Sequence, residues 1–425
     1  MMDESLINHR MGQLGMGVIC LGSSIAPLDF AVNIAFPAMT KAFALGTQEI
    51  RWVAICYMLT YGGLMLLFGS IGDRIGHLKV FRVGLMLGLI AFLLCACSPT
   101  FAVLLIGRVL QGIAIALTLS CAPALVLKLF PDYQRTWALS MYGAYFALAA
   151  AFAPVIGGVV TQLLGWPGVY WFRIPIVLLA WACLRFVRFP PVKNFPTYST
   201  RADYAAWRVL VQVVRHNPNF VWINVSSVIV QWTVFAIPLM VPYYLIQMAG
   251  WTSSQCGLIL GVWASGTVAG SFLAQKITTK FSVNSAAYIS GWIGTIGLAS
   301  IALWSTHVSI LLMIASLLVC GFGLGVYQVA YADMVVLALP KTSRGVAGSL
   351  TQVTRTLGVI AGAFVWLWVF EFVTDQSEVV RSLPSQAFVS GYRAMFLAAA
   401  GLSAAYLILT SFKSGLWFDR SEQVS

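Results

Sequence analysis

Residues 101–130 read FAVLLIGRVLQGIAIALTLSCAPALVLKLF, and the charged positions in that run are Arg108 and Lys128. About 20 apolar residues in a helix cover the hydrocarbon core of a bilayer, so this run can cross with residues to spare. It lacks the strict alternation of a half-buried strand. Runs of the same kind recur along the 425-residue chain with loops of a few residues between them, giving 60% hydrophobic and 9% charged residues and a mean hydropathy of +0.87. These values exclude a water-soluble enzyme. Without the short alternating segments of an outer-membrane barrel, the class that remains is an all-α membrane protein.

Working outward from 101–130, apolar runs bounded by charge, Gly and Pro predict twelve transmembrane helices, at 13–39, 50–70, 80–98, 101–128, 136–163, 169–189, 218–247, 254–275, 284–305, 308–337, 344–373 and 388–412. The first follows the polar start Met1–Arg10 and is too long for the core of a signal peptide, so it reads as an uncleaved span. Of the 25 Lys and Arg, 18 fall on one side of this topology, 4 on the other (Lys41, Arg51, Arg381, Arg393), and Arg108, Arg173 and Arg355 lie in spans or at their edges. Positive loops stay cytoplasmic, which predicts a multi-pass protein of a cell (inner) membrane with both termini inside. The formal charge of +12 is then a topology signal, with no nucleic-acid partner implied. The eight cysteines fall in or beside apolar runs without metal-ligand spacing and read as free apolar fillers.

The chain also repeats weakly. Pro131 to Arg135 matches Pro340 to Arg344, and Gly112 matches Gly321, all at an offset of 209 residues. Between the halves, Phe189-Pro190-Pro191 opens a loop with an amphipathic stretch, Trp207, Leu210, Val211 and Val214 against Arg208, Gln212 and Arg215. The expected organisation is an N-terminal six-helix bundle (1–189), a cytoplasmic linker with a surface helix (190–217) and a C-terminal six-helix bundle with a short tail (218–425). Two pseudo-symmetric bundles with a site between them form a transporter architecture.

Between the second and third spans stands Gly69-Ser70-Ile71-Gly72-Asp73-Arg74-Ile75-Gly76-His77-Leu78-Lys79, which resembles the signature loop of the major facilitator superfamily. Leu28-Asp29 through Asn33 to Pro37, Arg108 with Gln111-Gly112, Pro154 with Gly157-Gly158, and Thr354-Arg355 with Gly358 resemble motifs of its drug:proton antiporter branch, as a twelve-span relative of the fourteen-helix group. The resemblance covers nearly the whole chain and implies the major facilitator fold and proton-driven antiport. Three departures stand out: Asp29 and Asn33 are one residue closer than in that pattern, Ala153 replaces a usual Gly, and Arg173 stands where Asn is usual.

Charged residues inside a bilayer cost about 2.5–3.5 kcal/mol on insertion scales and mark function or pairing. Asp29, Arg108 and Asp333 are the candidate proton-coupling residues, with Asp29 and Asn33 four apart on one helical face and Arg108 the expected counter-ion. Asn33, Tyr57, Tyr61, Gln111, Tyr142, Asn224, Ser227, Gln231, Tyr327 and Arg355 are candidates for the substrate cavity. Gly69, Asp73, Arg74 and Gly76 are assigned to a cytoplasmic gate, and Pro154, Gly157 and Gly158 to the antiporter motif.

No phosphate-binding Gly-x4-Gly-Lys-Ser/Thr motif is present, so ATP is not the direct energy source. The expected protein is a proton-coupled secondary transporter, not an enzyme: an exporter of small organic molecules working by alternating access. It is expected to be monomeric and without cofactor apart from the coupling proton. Because arginines outnumber acids in the spans, an anionic or zwitterionic cargo, such as an organic acid or a polycarboxylate siderophore, is the alternative, with Arg108 and Arg355 facing it from opposite halves. A membrane receptor that senses without transporting is the alternative from another class.

Overall fold

The computed structural model describes residues 2–46, 49–187, 213, 215, 218–305, 308–339, 345–376, 384–413 and 415–418. The expected surface helix of the 190–217 linker lies outside them, apart from helical Val213 and Arg215. The chain divides into two compact units, Met1–Ala44 with Trp52–Ser199 and Leu45–Arg51 with Thr200–Ser425.

In unit one, α1 (Met2–Ser23) leads through a 3-10 turn at Pro27–Asp29 into α2 (Phe30–Ile34) and α3 (Phe36–Ala42). α4 (Arg51–Ile75), α5 (His77–Ala96), α6 (Phe101–Lys128), α7 (Arg135–Leu164), α8 (Gly168–Trp171) and α9 (Arg173–Cys183) follow. In unit two, α10 (Pro218–Val234) and α11 (Ala236–Tyr243) run into a π-turn, followed by α12 (Ser253–Phe281), α13 (Val283–Ile301), α14 (Ile310–Ala338), α15 (Gly345–Gln376) and α16 (Pro384–Ser411).

Each of the twelve predicted spans contains helix. Among the described residues, nine are long and apolar enough to cross a membrane, and α4, bent by 49° between Arg51–Met65 and Leu67–Ile75, makes a tenth. The 16-residue stretch Gly168–Cys183 is apolar but short. The lipid-facing character is direct: Ile106, Leu163, Phe272, Leu311 and Leu409 are all more than half exposed. In water such a surface would drive association.

The first span corrects the sequence reading. A continuous helix over 13–39 was expected, and the structure breaks it at residues 24–29. Pro27 has no N–H to donate and its ring clashes with an α-helical turn, and the chain tightens on either side of it, with Ala26 N–H donating to Ser23 O and Asp29 N–H to Ala26 O. Asp29 is thereby placed immediately before the first turn of α2. Elsewhere the starts follow local chemistry. Thr100 caps α6 by accepting from the Val103 N–H, and Thr252 with Gln255 forms a capping box on α12.

Glycines set the closest helix contacts. A Cβ on Gly112 of α6 would stand 2.8 Å from Tyr57 O of α4, and one on Gly157 of α7 would stand 2.7 Å from Ala31 Cα of α2. In unit two, Gly321 of α14 meets the Trp263 carbonyl of α12 in the same way. The 209-residue repeat is therefore a repeat of packing as well as of sequence.

Candidate functional site

The break in the first span carries the densest polar constellation in unit one. Asp29 accepts from Arg108 Nη1 at 2.7 Å and Nη2 at 2.8 Å, a two-pronged pair between planar groups, from Gln111 Nε2 at 2.8 Å and from Arg173 Nη1 at 2.8 Å. Each base of this arrangement is itself fixed. Arg108 Nε donates to Val53 O at 2.7 Å and Arg108 Nη1 to Gln111 Oε1 at 2.8 Å, while Arg173 Nη2 donates to Leu28 O at 3.0 Å. The Leu28 carbonyl, which sits in the 3-10 turn and also accepts from the Phe30 N–H, is shared between the backbone and Arg173.

The side chains of Arg108 and Arg173 are 1% and 0% exposed and that of Asp29 is 12% exposed. Four N–H donors meet Asp29, three of them at Oδ1 and one, Arg108 Nη2, at Oδ2, so the open acceptor position of the carboxylate is on Oδ2. The Arg108 guanidinium lies over the ring of Tyr57, 4.5 Å from its centre, and Tyr57 stacks on Tyr61. Arg173 is surrounded by the rings of Phe92, Phe172 and Tyr170 at 5.4–5.8 Å.

Sequence reasoning found Asp29, Arg108 and Gln111 and placed Tyr57 and Tyr61 near them, but omitted Arg173 from the site. Its signal was an arginine in an apolar stretch; its distance from Asp29, 144 residues along the chain, hid the pairing. Asn33 is half-buried one turn beyond Asp29, and Tyr142 of α7 sits by Ser23 of α1. Arg108, expected as the counter-ion of Asp29, has both terminal nitrogens of its guanidinium on that carboxylate.

In unit two the expected residues meet through neutral groups. Asn224 accepts at 2.9 Å from Tyr331, whose hydroxyl also lies 3.0 Å from Thr354 Oγ1. Thr354 Oγ1 in turn is 3.1 Å from Ser227 Oγ, and Tyr327 is 2.6 Å from Ser226. Tyr327 and Tyr331 stack with an interplanar angle of 4°. Asn224, Ser227 and Tyr327 were expected here; Ser226, Tyr331 and Thr354 were missed because hydroxyl-bearing residues are common in spans. Gln231 is buried where Gly358 seats α15 against α10. Arg355 is half-buried, and Asp333 is exposed without an ion pair among the described residues.

At the α4–α5 turn, Gly76 adopts φ +101°, open to glycine and strained for other residues. Asp73 and Arg74 are exposed and Gly69 half-buried. Asp73 Oδ1 lies 3.2 Å from His77 Nε2, and His77 Nδ1 lies 3.4 Å from Lys128 Nζ. His77 and Lys128 were not among the expected gate residues. Pro154, Gly157 and Gly158 are buried in α7, the face that packs on the broken first span.

The Major Facilitator Superfamily model matches residues 16–363. The chain belongs to this superfamily. Among curated relatives of this superfamily member, the riboflavin transporter RibZ of Clostridioides difficile (strain 630) is 23% identical, with 93% of this chain and 96% of that protein covered. The methylenomycin A resistance protein of Bacillus subtilis (strain 168) is 33% identical, over 37% of this chain and 34% of that protein. Among solved structures, a bacterial homologue of the human lysosomal transporter Spinster, inward-facing and unoccupied, is similar in fold with a TM-score of 0.78 at 15% identity, with 95% of this chain and 97% of that chain covered. The protein is accordingly a multi-pass secondary transporter of small molecules and not an enzyme.

Proposed function

We propose that the protein is a proton-coupled exporter of small organic molecules that works by alternating access in an inner membrane, with both termini cytoplasmic. The observation that carries this reading is the Asp29 carboxylate, held inside a broken span by two guanidiniums and an amide. A permanent structural pair needs one partner; a carboxylate bonded to α6 and α9 at once ties the fate of several helices to one protonation event. When a proton reaches Asp29, the two-pronged pair with Arg108 is lost and the break in the first span is released from α6. Loss of the proton restores the knot. A proton moving down about 100 mV supplies about 2.3 kcal/mol. Among relatives of the protein are drug-resistance proteins, which supports the export direction.

In this reading Tyr57, Tyr61, Asn33 and Tyr142 in one unit, and Asn224, Ser227 and Tyr327 in the other, contact the cargo. Asp73 and Arg74 with Gly69 and Gly76 work the gate, and Pro154, Gly157 and Gly158 let α7 follow the broken span. The test is purified protein in proteoliposomes carrying a pH-sensitive dye. Wild type should release protons in response to substrate, and Asp29→Asn should abolish that response. Full proton coupling in Asp29→Asn defeats the proposal.

A further inference from the structure

Arg108 and Arg173 are the fully buried charged side chains among the described residues, and both are cations that share one carboxylate. Counted with Asp29 as the anion that two adjacent guanidiniums favour, the knot carries one uncompensated positive charge away from water. The two arginines are not equivalent. Arg108 gives Asp29 both prongs, while Arg173 gives it a single bond from Nη1 and places Nη2 on the Leu28 carbonyl. Arg173 Nε and the hydroxyl of Tyr170, whose ring centre is 5.8 Å from the Arg173 guanidinium, are buried without hydrogen-bond partners among the described residues. Buried N–H and O–H groups left unpaired are rare and call for a partner.

We propose that the surplus cation serves the cargo: the transported molecule carries a carboxylate, and Arg173 is the residue that receives it. This deepens the transport reading above and rests on it. Entry of a carboxylate beside Asp29, the member of the knot with accessible surface, lets Arg173 exchange its single bond to Asp29 for a bond to the cargo. Two guanidiniums then face two carboxylates, each anion with its own cation, and the buried charge balances. While the cargo carboxylate binds, and until a proton reaches Asp29, Asp29 keeps both bonds to Arg108. An amide of the same shape offers no charge to balance, and an amine adds a second surplus cation.

The test uses benzoate with benzamide, nicotinate with nicotinamide, and benzylamine, each titrated onto purified full-length protein at fixed pH and salt, with the melting temperature as readout. Wild type should bind the acids about tenfold or more tighter than their amides, and Arg173→Gln should erase that difference while staying monodisperse. Should Arg173→Gln fail to fold, Arg173→Lys, which keeps the charge but loses the planar fork, should show a reduced acid preference. An amide or benzylamine matching the acids in wild type, or an unchanged acid preference in either variant, overturns the proposal. Vesicle flux is scored separately. Acid preference without flux removes the transport reading and leaves the carboxylate site standing; proton-coupled flux without acid preference does the reverse.

Discussion

The two units share a packing device and differ in what it carries. Gly112 seats α6 on the Tyr57 carbonyl of α4, and Gly321, 209 residues on, seats α14 on the Trp263 carbonyl of α12. Four residues before these glycines stand Arg108 in unit one and Leu317 in unit two, and one residue before them stand Gln111 and Cys320. All four are buried. The same backbone approach thus supports an ionic knot in one unit and an apolar contact in the other, whose own polar network is built from hydroxyls and an amide. Duplicated scaffolds need not duplicate chemistry. Here, buried charge is concentrated in unit one, and unit two offers neutral hydrogen-bonding groups.

Exchanging the two positions is the severest test of that difference. Arg108→Leu leaves Asp29 with Arg173 and Gln111 but removes its two-pronged partner, and breaking a buried pair from one side costs about 3–5 kcal/mol. Leu317→Arg buries a cation at a position 0% exposed in the native protein, at a cost of several kcal/mol. Thermal unfolding in detergent should therefore fall steeply for both. A well-tolerated Leu317→Arg would show that unit two holds a latent counter-ion and that the units are alike in charge.

Substitutions at the glycines should affect both units, because they touch what is shared. Overpacking costs about 1–3 kcal/mol. Gly321→Ala should lose more stability than Gly112→Ala, because its new methyl meets backbone at closer range. Equal losses, or a larger loss at Gly112, would weaken the claim that unit two is packed the more tightly at this point.

These glycines also show what the sequence made legible. The apolar runs, their basic loops and the glycine repeat are local patterns, and they predicted the fold because a bilayer imposes length and satisfied backbone bonds on every span. Asp29 and Arg108 were legible as a pair because charge inside a span demands a partner. Arg173 was visible as a charge, but which carboxylate it meets depends on how α9 packs against the broken first span. Tyr331 and Thr354 carried no such signal, since a hydroxyl in a helix can satisfy itself on a carbonyl one turn back, as Thr354 does on Thr351 O at 3.0 Å. The break at 24–29 was signalled by Pro27, yet its hydrophobic surroundings read as continuous helix.

Tyr331→Phe probes the neutral network. It removes the hydroxyl shared between Asn224 and Thr354 while keeping the ring stacked on Tyr327. Interhelical hydrogen bonds in membranes average about 0.6 kcal/mol, so stability should change little. Cargo affinity should fall severalfold, with proton release per molecule carried unchanged. A change in that ratio would place coupling in both units and weaken the contrast between the ionic knot and the neutral network.

The smallest effect is expected at the α4–α5 turn, where charges are near the surface. Asp73 is 34% exposed and His77 15%, and exposed pairs of this kind contribute about 0.2–1 kcal/mol. The roles within the trio follow from the donors available. Lys128 has N–H groups and no acceptor, so His77 Nδ1 accepts from it and Nε2–H is left to donate to Asp73. Asn at position 73 still presents a carbonyl oxygen to that N–H and preserves the geometry, losing only its charge. Asp73→Asn should therefore melt within about 1 kcal/mol of wild type, well short of Arg108→Leu. A loss at Asp73 as large as that at Arg108 would mean that the turn is held by electrostatics as strongly as the knot. Unit one would then be charged throughout, and its contrast with unit two would no longer rest on the buried arginines.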